Sequence, residues 1–123
     1  MKKSSLLLLV LVGLFWIPSA AAQEDVPKAV FLNTINGVNE LKMSDLKTSQ
    51  LMEYNEGYAD KVYGILDGDK ADKDKTSALK VLNKGKEKDL EDLLGKDFKK
   101  YRKLMEESLK PLIKKNKMFK YLL

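Results

Sequence analysis

The chain is expected to fold as an all-α protein: a small antiparallel helical hairpin or bundle of three to four helices, with an extended dimer as an open alternative. Three observations point there. Beyond residue 40, every strong run of apolar residues recurs at gaps of three and four, which is the spacing of one face of a helix. Residues suited to capping or stopping a helix (Ser44, Gly68, Gly95, Asp97) fall between those runs. There is no cysteine, so a domain of this size has to be held by packing rather than by disulfides.

Lys2 and Lys3 precede an apolar run from Leu6 to Ile17, then Pro18 and Ser19-Ala20-Ala21-Ala22. A charged start, a short apolar middle and an Ala-x-Ala end form the pattern of a cleaved secretory signal. The run is too short to span a bilayer, which needs about 20 residues. Residues 1–22 are therefore expected to be removed, leaving residues 23–123 as a single helical domain in the periplasm or outside the cell. Without a cysteine there is no lipid attachment point, so the processed protein is expected to be soluble.

The segment Val26 to Met43 reads as a helix, with a strand as the alternative. Val30, Phe31, Ile35 and Val38 fit one face, Ala29 joins it, and Pro27 suits a first turn. From Thr48 to Leu66 the stripe Leu51, Tyr54, Tyr58, Val62, Ile65 and Leu66 predicts a helix of about 28 Å, with Ser44, Asp45 and Thr48 as candidate caps. Asp67-Gly68-Asp69 stops it, Gly68 being suited to the left-handed conformation common past a helix end. Asp67 to Lys75 reads as a polar connection, with direct continuation into the next helix as the alternative. The next stripe is Ala78, Leu79, Leu82, Leu90, Leu93 and Leu94, crossed by Lys84-Gly85-Lys86, which predicts a continuous but locally soft helix ended by Gly95. Asp97 is placed to cap a third strong segment, with Phe98, Tyr101, Leu104, Met105, Leu109, Leu112 and Ile113 on one face. Pro111 removes an amide donor, so this helix should kink or end near Leu109. The tail from Met118 to Leu123 is apolar enough to dock.

Charge is unevenly spread. Residues 96–123 carry ten basic and three acidic side chains, whereas residues 23–95 carry eleven basic and fifteen acidic. The basic third is either a solvated helix face or a patch that meets an anionic surface or partner. Nucleic acid is not expected as the partner, because no reading motif is recognisable.

Catalysis has little to stand on. With neither histidine nor cysteine, Ser-His and Cys-His nucleophiles and the usual zinc, copper and nickel ligand sets are excluded. Asp67, Asp69, Asp72 and Asp74 do not fit the twelve-residue calcium loop: counted from Asp67, its fifth position is Ala71 and its twelfth Ala78. No catalytic residue, metal ligand or cofactor is assigned, and the protein is expected not to be an enzyme. Tyr54, Tyr58 and Tyr63, with Met52, suit helix packing with hydroxyls at the rim; the alternative puts part of that set on an open concave surface that holds unfolded clients. On that alternative the client- or partner-binding residues are Tyr54, Tyr58, Phe98, Tyr101 and Met105, rimmed by Lys99, Lys100 and Arg102.

Two helix starts carry a resemblance. Leu46-Lys47-Thr48-Ser49-Gln50 opens one, and Leu93-Leu94-Gly95-Lys96-Asp97-Phe98-Lys99-Lys100-Tyr101 opens the other. The pair resembles the Leu-Thr-x-x-Gln motifs of the Spy/CpxP-like family of periplasmic proteins, over roughly residues 41–110. The chain departs from the motif at Lys47 in place of Thr, and at Leu94 and Asp97 in place of Thr and Gln. The resemblance implies a long bent hairpin that dimerises into a thin cradle and binds unfolded proteins or senses envelope stress. It does not imply metal sensing here, since the histidine ligands are missing. The residues also have a local reading, in which Thr48 and Asp97 cap their helices. Two functions follow: an exported binding protein holding clients on an apolar, lysine-rimmed face, or a protein that lies on membrane surfaces through the basic amphipathic segment from Phe98 to Leu123. An accessory subunit docked by its apolar tail is a third reading.

Overall fold

A computed structural model describes residues 25–123; the expected signal segment, residues 1–22, lies outside the described residues. Among the described residues there are helices and no strands, so the chain is an all-α bundle. No described helix is long and apolar enough to cross a membrane.

The helices are α1 (Lys28–Ile35), α2 (Asp45–Leu66), α3 (Asp72–Leu94), α4 (Phe98–Ser108) and α5 (Lys110–Lys115), with 3₁₀ turns at Asn39–Leu41, Gly95–Asp97 and Lys117–Leu122. α2 and α3 form an antiparallel hairpin. Lys47 at the start of α2 reaches Leu94 at the end of α3, Tyr54 meets Asp89 midway, and Lys75 donates to the Leu66 carbonyl near the turn. α1 packs on α2 and α4, α4 packs on α3, and the C-terminal 3₁₀ turn lies along α3 and α5. These elements enclose one core, centred on Phe31, Leu51, Val62, Leu79, Leu90, Leu94, Leu109, Phe119 and Leu122.

Local chemistry accounts for most boundaries. Ser44 caps α2, its hydroxyl accepting the Lys47 amide at 3.1 Å. Thr48 is therefore a residue of the first turn and not a cap. α3 runs unbroken through Gly85 and stops at Gly95, whose φ of 53° and ψ of −121° suit a residue without Cβ. Gly68 does not take the left-handed conformation expected of it. Its φ is not positive, but a Cβ there would sit 3.2 Å from the Gly64 carbonyl oxygen. Asp97 precedes α4 without a side-chain capping bond, because its carboxylate is turned toward Lys47. The long amphipathic segment divides at Leu109, where Pro111 enters the first turn of α5.

Residues 26–43 resolve to the helical alternative, but a short one. Phe31 and Ile35 face the core and Val38 joins them from beyond the helix, while Val30 and Ala29 are exposed. Eight residues of helix present only two side chains to one narrow line of contact, and Val30 lies about 100° away from Phe31.

Candidate functional site: a basic face on the C-terminal third

Among the described helices α4 carries the sharpest division of apolar and polar residues. Tyr101 and Met105, four residues apart, point into the core with 3% exposure each, while Lys99, Lys100, Arg102 and Lys103 face outward. α5 and the tail continue the pattern: Leu109, Leu112, Phe119 and Leu122 are buried, and Lys110, Lys114, Lys115, Lys117 and Lys120 are exposed. All ten cations of residues 96–123 are exposed.

The structure separates the expected binding residues into two sets. Tyr58, Tyr101 and Met105 belong to the core, which corrects the expectation of an open surface at these positions; α1, α3 and the tail pack against them. Tyr54 is half-buried on α2, where its hydroxyl donates to the Asp89 carboxylate at 2.8 Å and its ring stacks on Tyr58 at 6.4 Å. Phe98 is half-buried, and Lys99, Lys100 and Arg102 are exposed. Of the eight, Phe98, Lys99 and Arg102 come together, with Lys96, Glu91 and Gly95, in an open groove of about 480 Å³ between α3 and α4.

Two polar features beneath this face escaped the sequence reading. Asn55 is fully buried, in phase with Leu51, Tyr58 and Val62. Its amide donates to the Ile35 carbonyl at 3.1 Å and to Asn36 Oδ1 at 2.8 Å, and the Tyr101 hydroxyl donates to the same Ile35 carbonyl at 3.0 Å. α2 and α4 thus jointly satisfy a carbonyl in the last turn of α1, which would otherwise be left without a partner. Burial raises the Tyr101 hydroxyl to about 12 and pushes Tyr58 higher still. An asparagine inside an apolar stripe was the available signal.

The second feature is Lys86. Its ammonium donates to the Leu122 carbonyl at 3.0 Å and lies 5.1 Å from the centre of the Tyr58 ring. It edges a cavity of about 20 Å³, with room for about one water, bounded by Leu90, Phe98, Met105 and Leu122. Desolvation lowers its pKa to about 8; Glu87 opposes that shift and Arg102 adds to it.

At the far end of the hairpin, Lys47 Nζ donates to the Leu94 carbonyl at 3.2 Å and pairs with Asp97 Oδ2 at 3.1 Å, both side chains largely shielded from water. The two motif-like helix starts therefore meet in space, through residues at which they depart from the motif. Among the described residues no three His, Cys, Asp or Glu side chains cluster as a metal site would.

Fold and surface together define the class: a cysteine-free all-α bundle with a closed aromatic core and a basic face on its C-terminal third. Compared with protein families, curated proteins and solved structures, the chain matches none.

Proposed function

We propose that this is an exported, non-enzymatic binding protein that docks acidic partner proteins, including acidic stretches of partly unfolded chains, on the basic face of α4, α5 and the tail. The observation that carries the reading is the exposure of all ten cations of residues 96–123 on elements whose apolar side chains face inward. Lysines held on a packed scaffold steer an acidic partner toward the face, and the half-buried Phe98 edge supplies apolar contact once it arrives. Holding clients in an open aromatic cradle would require Tyr58, Tyr101 and Met105 to leave the core. Docking on exposed charge requires no such opening. Insertion into a membrane is disfavoured on the same ground, since Tyr101, Met105, Leu109 and Leu112 are occupied within the fold.

The test is aggregation of an acidic, reduced, unfolding client at near-stoichiometric ratio. Suppression at low salt, weakened at high salt and in a Lys99→Ala/Lys100→Ala/Arg102→Ala variant, is the expected outcome. No suppression at low salt would refute the reading.

A further inference from the structure

The groove between α3 and α4 has a counterpart of opposite charge. On the other side of α3 a groove of about 450 Å³ opens against α2, lined by Glu53, Tyr54, Asp89, Asp92 and Leu93. At about 100° per residue, Asp89, Asp92 and Leu93 emerge from one side of α3, Glu91 and Gly95 from the other, and the buried Leu90 and Leu94 lie between. The C-terminal half of α3 is thus a ridge with an acidic channel on one flank and a basic channel on the other.

The charges on both flanks are available. Among the described residues Glu53 and Asp92 form no ion pair, and Asp89 accepts only the Tyr54 hydroxyl. Across the ridge Lys96 and Lys99 likewise form none, and Arg102 meets Glu87 at 3.5 Å. Each channel has a half-buried apolar floor, Leu93 in one and Phe98 in the other. On the acidic side this apolar character extends to Leu46, 69% exposed and one turn before Gln50 on the same face of α2.

We propose that the acidic α2/α3 groove of one copy receives the basic α3/α4 rim of a second copy, so that the protein associates with itself head to tail. The inference deepens the binding-face reading above by naming one acidic partner of that face. Charge complementarity carries it: three carboxylates line a groove of one size, and three cations with a single carboxylate, Glu91, line a groove of nearly the same size on the same molecule. Because the two surfaces lie on opposite flanks of one helix, a pair joined through them leaves one free groove of each sign. The contact is heterologous and does not close about a two-fold axis. Exposed charge contributes weakly and is screened, so the association depends on salt.

The experiment is sedimentation velocity on the purified protein at salt of ~0.01 M and ~1 M, where the Debye length is about 30 Å and about 3 Å. Two variants accompany it: Glu53→Lys/Asp92→Lys, which removes the acidic groove, and Lys96→Glu/Lys99→Glu, which removes the basic one. All four positions are exposed, so both variants should fold, which circular dichroism is to check first. The parent should associate at low salt and weaken by about tenfold or more at high salt. Each variant alone should be monomeric, and an equimolar mixture should form a one-to-one pair that grows no further. A parent that is monomeric at low salt, or that associates equally at both salts, overturns the proposal. So does either variant alone associating as strongly as the parent. Glu53→Lys/Asp92→Lys leaves the basic face intact, so its client binding separates the two readings. If it still suppresses client aggregation while the parent is monomeric, only the second-copy assignment falls. If the parent self-associates and neither protein protects the client, only the client reading falls.

Discussion

Lys86 and Asn55 are polar side chains set among apolar neighbours, and each donates to a backbone carbonyl. Lys86 carries a consequence for pH. Its pKa is about 8 in the folded chain against 10.5 in water, so below pH 8 it is protonated in both states and folding bears the full cost of its desolvation. Between pH 8 and 10.5 the unfolded chain binds the proton more tightly, and stability rises with pH. Tyr63 and Tyr101, both raised to about 12 by burial, act in the opposite direction above pH 10, where tyrosines ionise only in the unfolded chain. Stability should therefore peak between about pH 9 and 10. Lys86→Met should raise stability at pH 7 by roughly 2–3 kcal/mol and flatten the rise above pH 8, as measured by urea unfolding across that range. A variant less stable than the parent at pH 7 would show that the contact with Leu122 outweighs the desolvation. Asn55 was marked in the sequence by its place in an apolar stripe, whereas Lys86 was not marked at all. Lys86 lies in the polar Lys84-Gly85-Lys86 break in the α3 stripe, and only the tail laid over α3 distinguishes it from the exposed Lys84.

Among the elements, the long helices were legible because their signals are local. Gaps of three and four among apolar residues, Ser44 as a cap, Gly95 as a stop and Pro111 as a divider each act within about one turn of chain, and each marks a boundary in the structure. α1 was harder to read, because eight residues give too short a period to separate helix from strand. Two glycines, Gly85 within α3 and Gly95 just past its end, allow the local rules to be tested against each other. Nothing lies within 4 Å of a Cβ at either Gly85 or Gly95, so backbone conformation alone decides the sign. Gly85→Ala should stabilise the protein by about 1 kcal/mol, since alanine is the better helix former. Gly95→Ala should destabilise it by about 1–3 kcal/mol, since a side chain is strained at a φ of 53°. Denaturation midpoints of the two variants should move in opposite directions; movement in the same direction would show that the α3–α4 joint tolerates a different backbone.

At the scale of the whole molecule, the hairpin is closed at its open end by Lys47 and Asp97, fifty residues apart in sequence and 3.1 Å apart in space. A double-mutant cycle with Lys47→Met and Asp97→Asn should give a coupling of about 1–2 kcal/mol, larger than a fully exposed pair provides, because water reaches both side chains poorly. Coupling near zero would mean that the pair only decorates a joint held by Leu94. The same long-range closure decides the surface. An amphipathic α4 was plain from its sequence, but whether its apolar face stays open for a client depends on α1, α3 and the tail, which reach it from elsewhere in the chain. The order of residues alone settles what acts within a few residues: helix periods, caps, stops and the excess of lysine in the last third. Burial is a sum over neighbours distant in sequence, so only the folded chain decides that Tyr58, Tyr101 and Met105 become core, that Asn55 and Lys86 lie beneath the surface, and that the two flanks of α3 carry opposite charge.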